Sequence, residues 1–453
     1  MKKFILMPIL IAIGGGLLLG EHIVFPIGFN LKLPGHLNIW IQTHAHLQLV
    51  GWLGLFTIGL SLFFLSQLAG GIKNNTKIFN LIFYFISSGL LLSASCEFSS
   101  AYLENIFILK IAQIIGFILE MNGILIYISA ILTFLLQDER KNVLLLSIKN
   151  YIYLAACGWF VYLLSKTIDK LAPYINITIY IPLEIYIQFI FFPLIFAFSM
   201  ILLPAFLHLP PPQLTLFKKL SYLYSSVVIL NQLLNLSSHT TSGIDLLNLL
   251  WNGLTVYLIL KLKIIERIIF YSRYKKHPAR IIFEKEKPGL ENVSVRKQPR
   301  SGYSDYGEFG RFELLIYGSY IWFIIYSILF SIMSVCKLFG ISIFHGINTL
   351  RHIFFLGFAT QLILGVGYRI LPGIFQRRRL YYPKLVVLTF IFINWACIGR
   401  IGWLILPMKS PNYINFVEKV LMFNYGISGI LAIIALLIFG LNVWKTINYN
   451  AKN

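Results

Sequence analysis

Charge is scarce in this sequence. Aspartate, glutamate, lysine and arginine make up 12% of 453 residues, apolar residues 58%, and mean hydropathy is +0.77. A soluble domain of this length needs far more charge on its water-facing surface, so a soluble globular fold is excluded. Cysteine is scarcer still: Cys96, Cys157, Cys336 and Cys397 are scattered, and no two form a CxxC pair. That argues against a zinc site and a disulfide framework, and leaves four small apolar side chains. Acidic residues number 17 against 38 basic ones, a formal charge of +21. In a soluble chain that balance would point to nucleic acid. In an apolar chain the basic loops of a membrane protein account for it, so no nucleic-acid partner is expected. The short alternating segments of a membrane β-barrel are also missing.

What the chain does have is a series of apolar runs about 20 residues long, the length that crosses a bilayer as a helix. Twelve spans are expected, near 4–20, 43–67, 78–95, 107–136, 143–165, 179–206, 216–237, 244–265, 313–338, 348–371, 383–407 and 419–444. The opening "MKKFILMPILIAIGGGLLLG" shows no small-x-small cleavage site before a polar chain and is read as the first span, retained. With the N-terminus inside and the sides alternating, 29 of the 38 lysines and arginines fall on the cytoplasmic side. The other nine are Lys32, Lys110, Lys166, Lys170, Lys337, Arg351, Arg400, Lys409 and Lys419. One miscounted span would mix the two groups, so the split supports twelve spans with both ends inside.

The expected architecture is therefore an all-α polytopic bundle surrounded by lipid, in the cytoplasmic (inner) membrane. Residues 1–265 carry spans one to eight, 266–312 a basic cytoplasmic loop, 313–444 spans nine to twelve, and 445–453 a cytoplasmic tail. The loop mixes charge with Pro, Gly and Ser, carries no nucleotide-binding motif and is expected to be a solvated linker.

The nine histidines are unevenly placed. His208 and His277 fall on the cytoplasmic side; His22, His36, His44, His46, His239, His345 and His352 fall at or near the outer face. Neutral imidazole is a leading ligand for haem iron and copper. His44 and His46 open span two and His352 opens span ten, both running from outside to inside. All three are expected at similar depth, where two parallel helices could clamp a planar haem, each giving one axial nitrogen. "HLQLVGWLGLFTIG" from His46 and "HIFFLGFATQLILG" from His352 share a spacing: glycine five residues on (Gly51, Gly357) and again eight further (Gly59, Gly365). Such glycines permit close helix packing or leave flat space for a large ligand. The spacing pairs His46, rather than His44, with His352. At 100° per residue, His44 and His46 point about 200° apart and cannot both bind one iron. With His46 on a haem, His44 would face a second haem, a copper, a propionate or water, with Gln48 and Gly51 on its side of the helix.

Arg400, in "FINWACIGRIGWLIL", is another expensive residue in an apolar run, with no acidic residue within one or two turns. A haem propionate at the outer boundary would satisfy it, and Arg351 beside His352 could serve likewise; snorkelling to lipid headgroups is the alternative for both. Glu120, Asn122, Glu184, Asn231, Gln232 and Asn235 also lie in spans, where bracing by hydrogen bonds is the plainer role. Arg369 at the inner end of span ten reads as an anchor.

"HAHLQLVGW" resembles the sequence that opens the second span of the NnrS family, twelve-span haem- and copper-containing membrane proteins linked to nitric oxide metabolism. "RHIFFLGFATQLILGVGYRILPG" and "NWACIGRIGW" resemble that family's later histidine-bearing and arginine-bearing helices. More distantly, the layout is similar to subunit I of the haem-copper oxidases and nitric oxide reductases, whose spans two and ten hold the low-spin haem. The resemblance implies haem b, with copper as a further candidate, on His46 (or His44) and His352. It also implies a redox partner, a cytochrome or a quinol, at the outer face. Span six, "IPLEIYIQFIFFPLIFAFSM", and span seven, "LFKKLSYLYSSVVILNQLLNL", lack the intramembrane histidines of the oxidases, so a complete oxygen-reducing binuclear centre is not expected. The competing reading is a cofactor-free twelve-helix secondary transporter. Against it, no six-plus-six repeat is visible and the long loop divides the spans eight and four.

Overall fold

Inside a bilayer no water satisfies backbone N–H and C=O groups, so an apolar run of 20 residues closes its hydrogen bonds within itself as a helix. The computed structural model describes residues 1–69, 76–100, 102–103, 106–136, 143–175, 183, 185–237, 241–270, 306–341, 346–405 and 415–448. Among these residues every regular element is helical. Most of the 266–312 loop, the end of the tail, His239, His277, His345 and Glu184 lie outside the described residues.

Eleven of the helices are long and apolar enough to cross a membrane. They are α1 Lys2–Gly28, α2 Leu37–Leu68, α3 Thr76–Ser100, α4 Phe107–Leu136, α5 Val143–Ile168, α6 Tyr186–Leu207, α8 Gly243–Lys261, α9 Phe312–Leu338, α10 Ile347–Ile374, α11 Leu385–Gly402 and α12 Phe416–Asn448. Between α6 and α8 lies α7, Leu214–Ser237, also 24 residues long. Lys218, Lys219, Asn231, Gln232 and Asn235 lower its hydropathy, so eleven crossing helices stand among the described residues where twelve spans were expected, and α7 occupies the place of the other. Bulky apolar side chains such as Phe107, Ile108, Ile332 and Leu441 stay exposed, as lipid-facing groups do. The chain is a multi-pass membrane protein.

The helices fall into two compact units. One comprises Met1–Ala197 and Leu214–Ser237; the other comprises Phe198–Gln213 and Ser238–Asn453.

In the first unit the tightest pair is α3 with α4. Lipid gives apolar helices no hydrophobic reason to associate, so close backbone approach over small residues supplies the attraction. A Cβ built on Gly116 would lie 2.7 Å from the Ser93 backbone nitrogen and 2.9 Å from the Gly89 carbonyl oxygen. Buried hydroxyls are satisfied by their own helices: Thr57 donates to the Leu53 carbonyl at 2.7 Å and Ser87 to the Phe83 carbonyl at 2.7 Å.

In the second unit α11 and α12 pair over Gly399, where a Cβ would come within 2.6 Å of the Asn424 carbonyl oxygen. Asn252 ties α8 to α9 by donating to the Ser327 carbonyl and to Ser331 Oγ, both at 2.8 Å. Arg369 is half-buried, its guanidinium 4.2 Å from the centroid of Phe309 and 5.3 Å from that of Phe206. The arginine expected to anchor at the interface is stacked on phenyl rings, a favourable site for a planar cation.

Candidate functional site

Span two changes its winding at the histidines. Leu37–His46 is α-helical, and Leu47–Gly54 continues with the wider i→i+5 pairing of a π-helix. Span ten does the same: Gly346–His352 is α-helical and Ile353–Thr360 is π. In each case the eight-residue π segment begins directly after the histidine. Such segments are uncommon and gather at functional sites. Among the described residues two further π segments, Ala12–Leu17 in α1 and Tyr186–Phe191 in α6, have no histidine at their start.

His46 reaches a buried carboxylate. Its Nε2 lies 3.0 Å from Glu120 Oε2 and 3.2 Å from Oε1, on α4. From α5, Tyr162 donates its phenolic hydrogen to Glu120 Oε1 at 2.6 Å. The Glu120 side chain is only 4% exposed and that of His46 only 11%, so neither group has water as an alternative partner. Three side chains from three helices thus satisfy one another in an apolar setting. In sequence Glu120 was one of several polar residues for which bracing was expected; nothing local marked His46 and Tyr162, 74 and 42 residues away, as its partners.

His44 points the other way, as the 200° separation requires. Its Nδ1 lies 2.6 Å from the Gly16 carbonyl oxygen of α1. A carbonyl only accepts, so Nδ1 carries the hydrogen. Gly16 and Gly20, one turn apart on α1, make the approach possible. A Cβ on Gly20 would lie 2.6 Å from His44 Cε1, and one on Gly16 would overlap the Gln48 amide. His44, Gln48 and Gly51 all face α1, Gly51 receiving Ile11. At the same end of this unit the His22 ring stacks on Trp40 at 4.5 Å, and Trp40 Nε1 donates to the Tyr102 hydroxyl at 3.1 Å.

In the second unit His352 is half-buried, and its Nδ1 lies 2.7 Å from the Asn348 carbonyl oxygen. It therefore has the same tautomer as His44. The neighbouring Arg351 donates to Asn348 Oδ1 at 3.4 Å. Arg400 is half-buried on α11, its guanidinium 5.5 Å from the Tyr425 ring of α12, and has no ion-pair partner among the described residues. The glycines of the shared spacing are filled by packing. Phe4 sits at Gly59, Trp322 at Gly357, and Ile316 with Leu315 at Gly365. These glycines serve close helix packing.

Among the described residues no three His, Cys, Asp or Glu side chains gather as a metal-ion site. Where α6 and α7 meet, amides do the bonding. Asn231 and Gln232 both donate to Gln188 Oε1 at 3.2 Å, and Tyr224 donates to the Gln188 carbonyl at 2.7 Å.

No protein-family model matches the chain, and no curated protein matches its sequence. Solved structures do match. A cryo-EM structure of a heme-copper terminal oxidase dimer aligns with a TM-score of 0.68, covering 100% of this chain and 84% of that chain, at 12% identity. The fold is that of a haem-copper oxidase. At this identity the oxidase fold is what the two chains share. The NnrS resemblance rests on the three quoted segments.

The residues of the oxidase fold here divide by donor chemistry. A metal-bound imidazole normally donates its second ring nitrogen to a carbonyl or carboxylate, which fixes the tautomer. His44 and His352 meet that requirement through Gly16 and Asn348. His46 meets it through the Glu120 carboxylate, but with Nε2 rather than Nδ1. His44 and His352 are thus held through the same ring nitrogen, and His46 through the other.

Proposed function

We propose that this chain is a haem-binding integral membrane protein of the cytoplasmic membrane, serving electron transfer or nitric oxide metabolism. One observation carries the reading. On two spans of an oxidase-type fold, a histidine whose Nδ1–H is fixed by a backbone carbonyl stands at or next to the last α-helical turn before a π segment. His44 and His352 would be the imidazole ligands of haem b, and Arg400 and Arg351 the cations for its propionates. Bound haem would supply one-electron exchange, and a cytochrome or quinol at the outer face would be the redox partner. The spacing of glycines favours His46 as the span-two ligand, whereas the donor geometry favours His44. Copper beside His44 has less support, because α6 and α7 meet through Gln188, Asn231 and Gln232 rather than through imidazoles. The resemblance to NnrS supports the nitric oxide branch.

Protein made in haem-replete cells and purified in detergent should show a Soret band and, once reduced, sharp b-type α-bands. His44→Ala and His352→Ala should each abolish the low-spin bis-histidine spectrum. His46→Gln, whose amide still reaches Glu120, should keep it. A colourless preparation would reject the haem reading in favour of the transporter. Loss of the low-spin spectrum in His46→Gln but not in His44→Ala would return the assignment to His46.

A further inference from the structure

The turn between α10 and α11 carries Arg377, Arg378, Arg379 and Lys384 within eight residues, at a point where the chain leaves the membrane and re-enters it. Basic turns of this kind usually wave in solvent, and ordering them cancels much of what a bound anion gains. This one is already fixed. The Tyr381 N–H donates to Thr446 Oγ1 at 3.0 Å, and the Tyr382 N–H donates to Asn442 Oδ1 at 3.0 Å. Asn442 returns a hydrogen bond to the Tyr382 carbonyl at 2.8 Å, so one side-chain amide of α12 holds both backbone groups of that residue. The Leu380 N–H donates to the Glu308 carbonyl at 2.8 Å. Gln376 takes the left-handed conformation, φ 56°, that starts the turn.

Within this frame the four cations are used differently. Arg377 is turned inward and donates to the Ile447 carbonyl at 2.9 Å. Arg378 is 90% exposed and only 3.9 Å from a Glu308 carboxylate oxygen, an ion pair of little strength. Arg379 and Lys384 are exposed and make no hydrogen bond or ion pair among the described residues. Beside them stand two half-exposed aromatic rings, Tyr382 and Trp444, and Lys445 lies over the Trp444 ring at 5.3 Å. Aromatic rings with cations at a span boundary match the headgroup layer of a bilayer, and arginine is the side chain best shaped to grip phosphate.

We propose that this turn is a preformed site for the phosphate of an anionic phospholipid headgroup, held by Arg378, Arg379 and Lys384. The rigid backbone makes it selective. Cations on a fixed frame favour an anionic headgroup over a zwitterionic one without first losing chain entropy, and each contributes independently near a charged leaflet. The site is independent of the haem reading and needs no cofactor.

Native mass spectrometry of the full chain from nanodiscs of mixed phosphatidylcholine and phosphatidylglycerol tests it. The wild type should retain phosphatidylglycerol preferentially. The triple variant Arg378→Gln/Arg379→Gln/Lys384→Gln should lower that preference at least about tenfold, since each lost cation near the surface counts. Lys337→Gln/Lys419→Gln, exposed cations at the far ends of α9 and α12, should leave it unchanged. Unchanged preference in the triple variant would overturn the proposal. So would an equal fall in the Lys337/Lys419 control, which would reduce the effect to net charge.

Discussion

Replacing His46 with leucine should destabilise the protein by about 3–5 kcal/mol, the usual cost of removing one member of a buried, hydrogen-bonded ionisable pair. The reason lies in what is left behind. Glu120 would keep one hydrogen bond, from Tyr162, and lose its imidazole in a position 3% exposed, where water cannot replace it. His46→Gln should cost far less, because an amide N–H can still reach the carboxylate. The variant His46→Leu/Glu120→Leu/Tyr162→Phe should recover most of the loss, since apolar groups in an apolar site leave no member of the cluster unsatisfied. Thermal or denaturant unfolding in detergent, read as a mutant cycle, measures this. If that combined variant were as unstable as His46→Leu alone, the carboxylate would not be the source of the cost.

The second large effect is expected at Gly89. A Cβ there would lie 2.6 Å from the Gly116 carbonyl oxygen and 3.0 Å from the Glu120 Cα, and both are backbone atoms that cannot rotate away. Gly89→Leu should separate α3 from α4 and cost more than about 3 kcal/mol, the upper range for overpacking a close-packed core. It should also displace Glu120 from His46 and Tyr162, so the variant should bring down the polar cluster and the helix pair together. Gly14→Ala is the matched control, with open space around its Cβ, and should leave the unfolding midpoint where it is. Equal midpoints for Gly89→Leu and wild type would show that the two helices can part without penalty.

Much of this architecture was readable from hydropathy because the bilayer imposes one length and one secondary structure on every crossing. The series of crossing helices, the opposed faces of His44 and His46, and the placing of Gln48 and Gly51 with His44 all follow from periodicity alone. α7, with two lysines and three amides, is the helix expected between two clear spans, but it is too polar to count among the eleven crossing helices. What hydropathy does not encode is winding. The π segments after His46 and before Gln361 are as apolar as any α-helix, so nothing in composition announces them. Partner choice was equally hidden. Glu120 finds His46 and Tyr162 across 74 and 42 residues, and such pairings depend on tertiary packing rather than local pattern. The ranking of His46 above His44 rests on glycine spacing, a pattern that does not record which ring nitrogen each histidine has engaged.

The two histidine-bearing spans also set a rule about length. A π segment amounts to one residue more than an α-helix needs, absorbed as a local widening. Removing a single residue between Leu47 and Gly54 would close the widening to α geometry, and the residues beyond would keep the faces they now present. A deletion in the α-helical Leu55–Leu68 has no such surplus to draw on and would turn everything beyond it by about 100°. The wide turn is thus slack in the span, the one stretch of it where the loss of a residue is taken up locally.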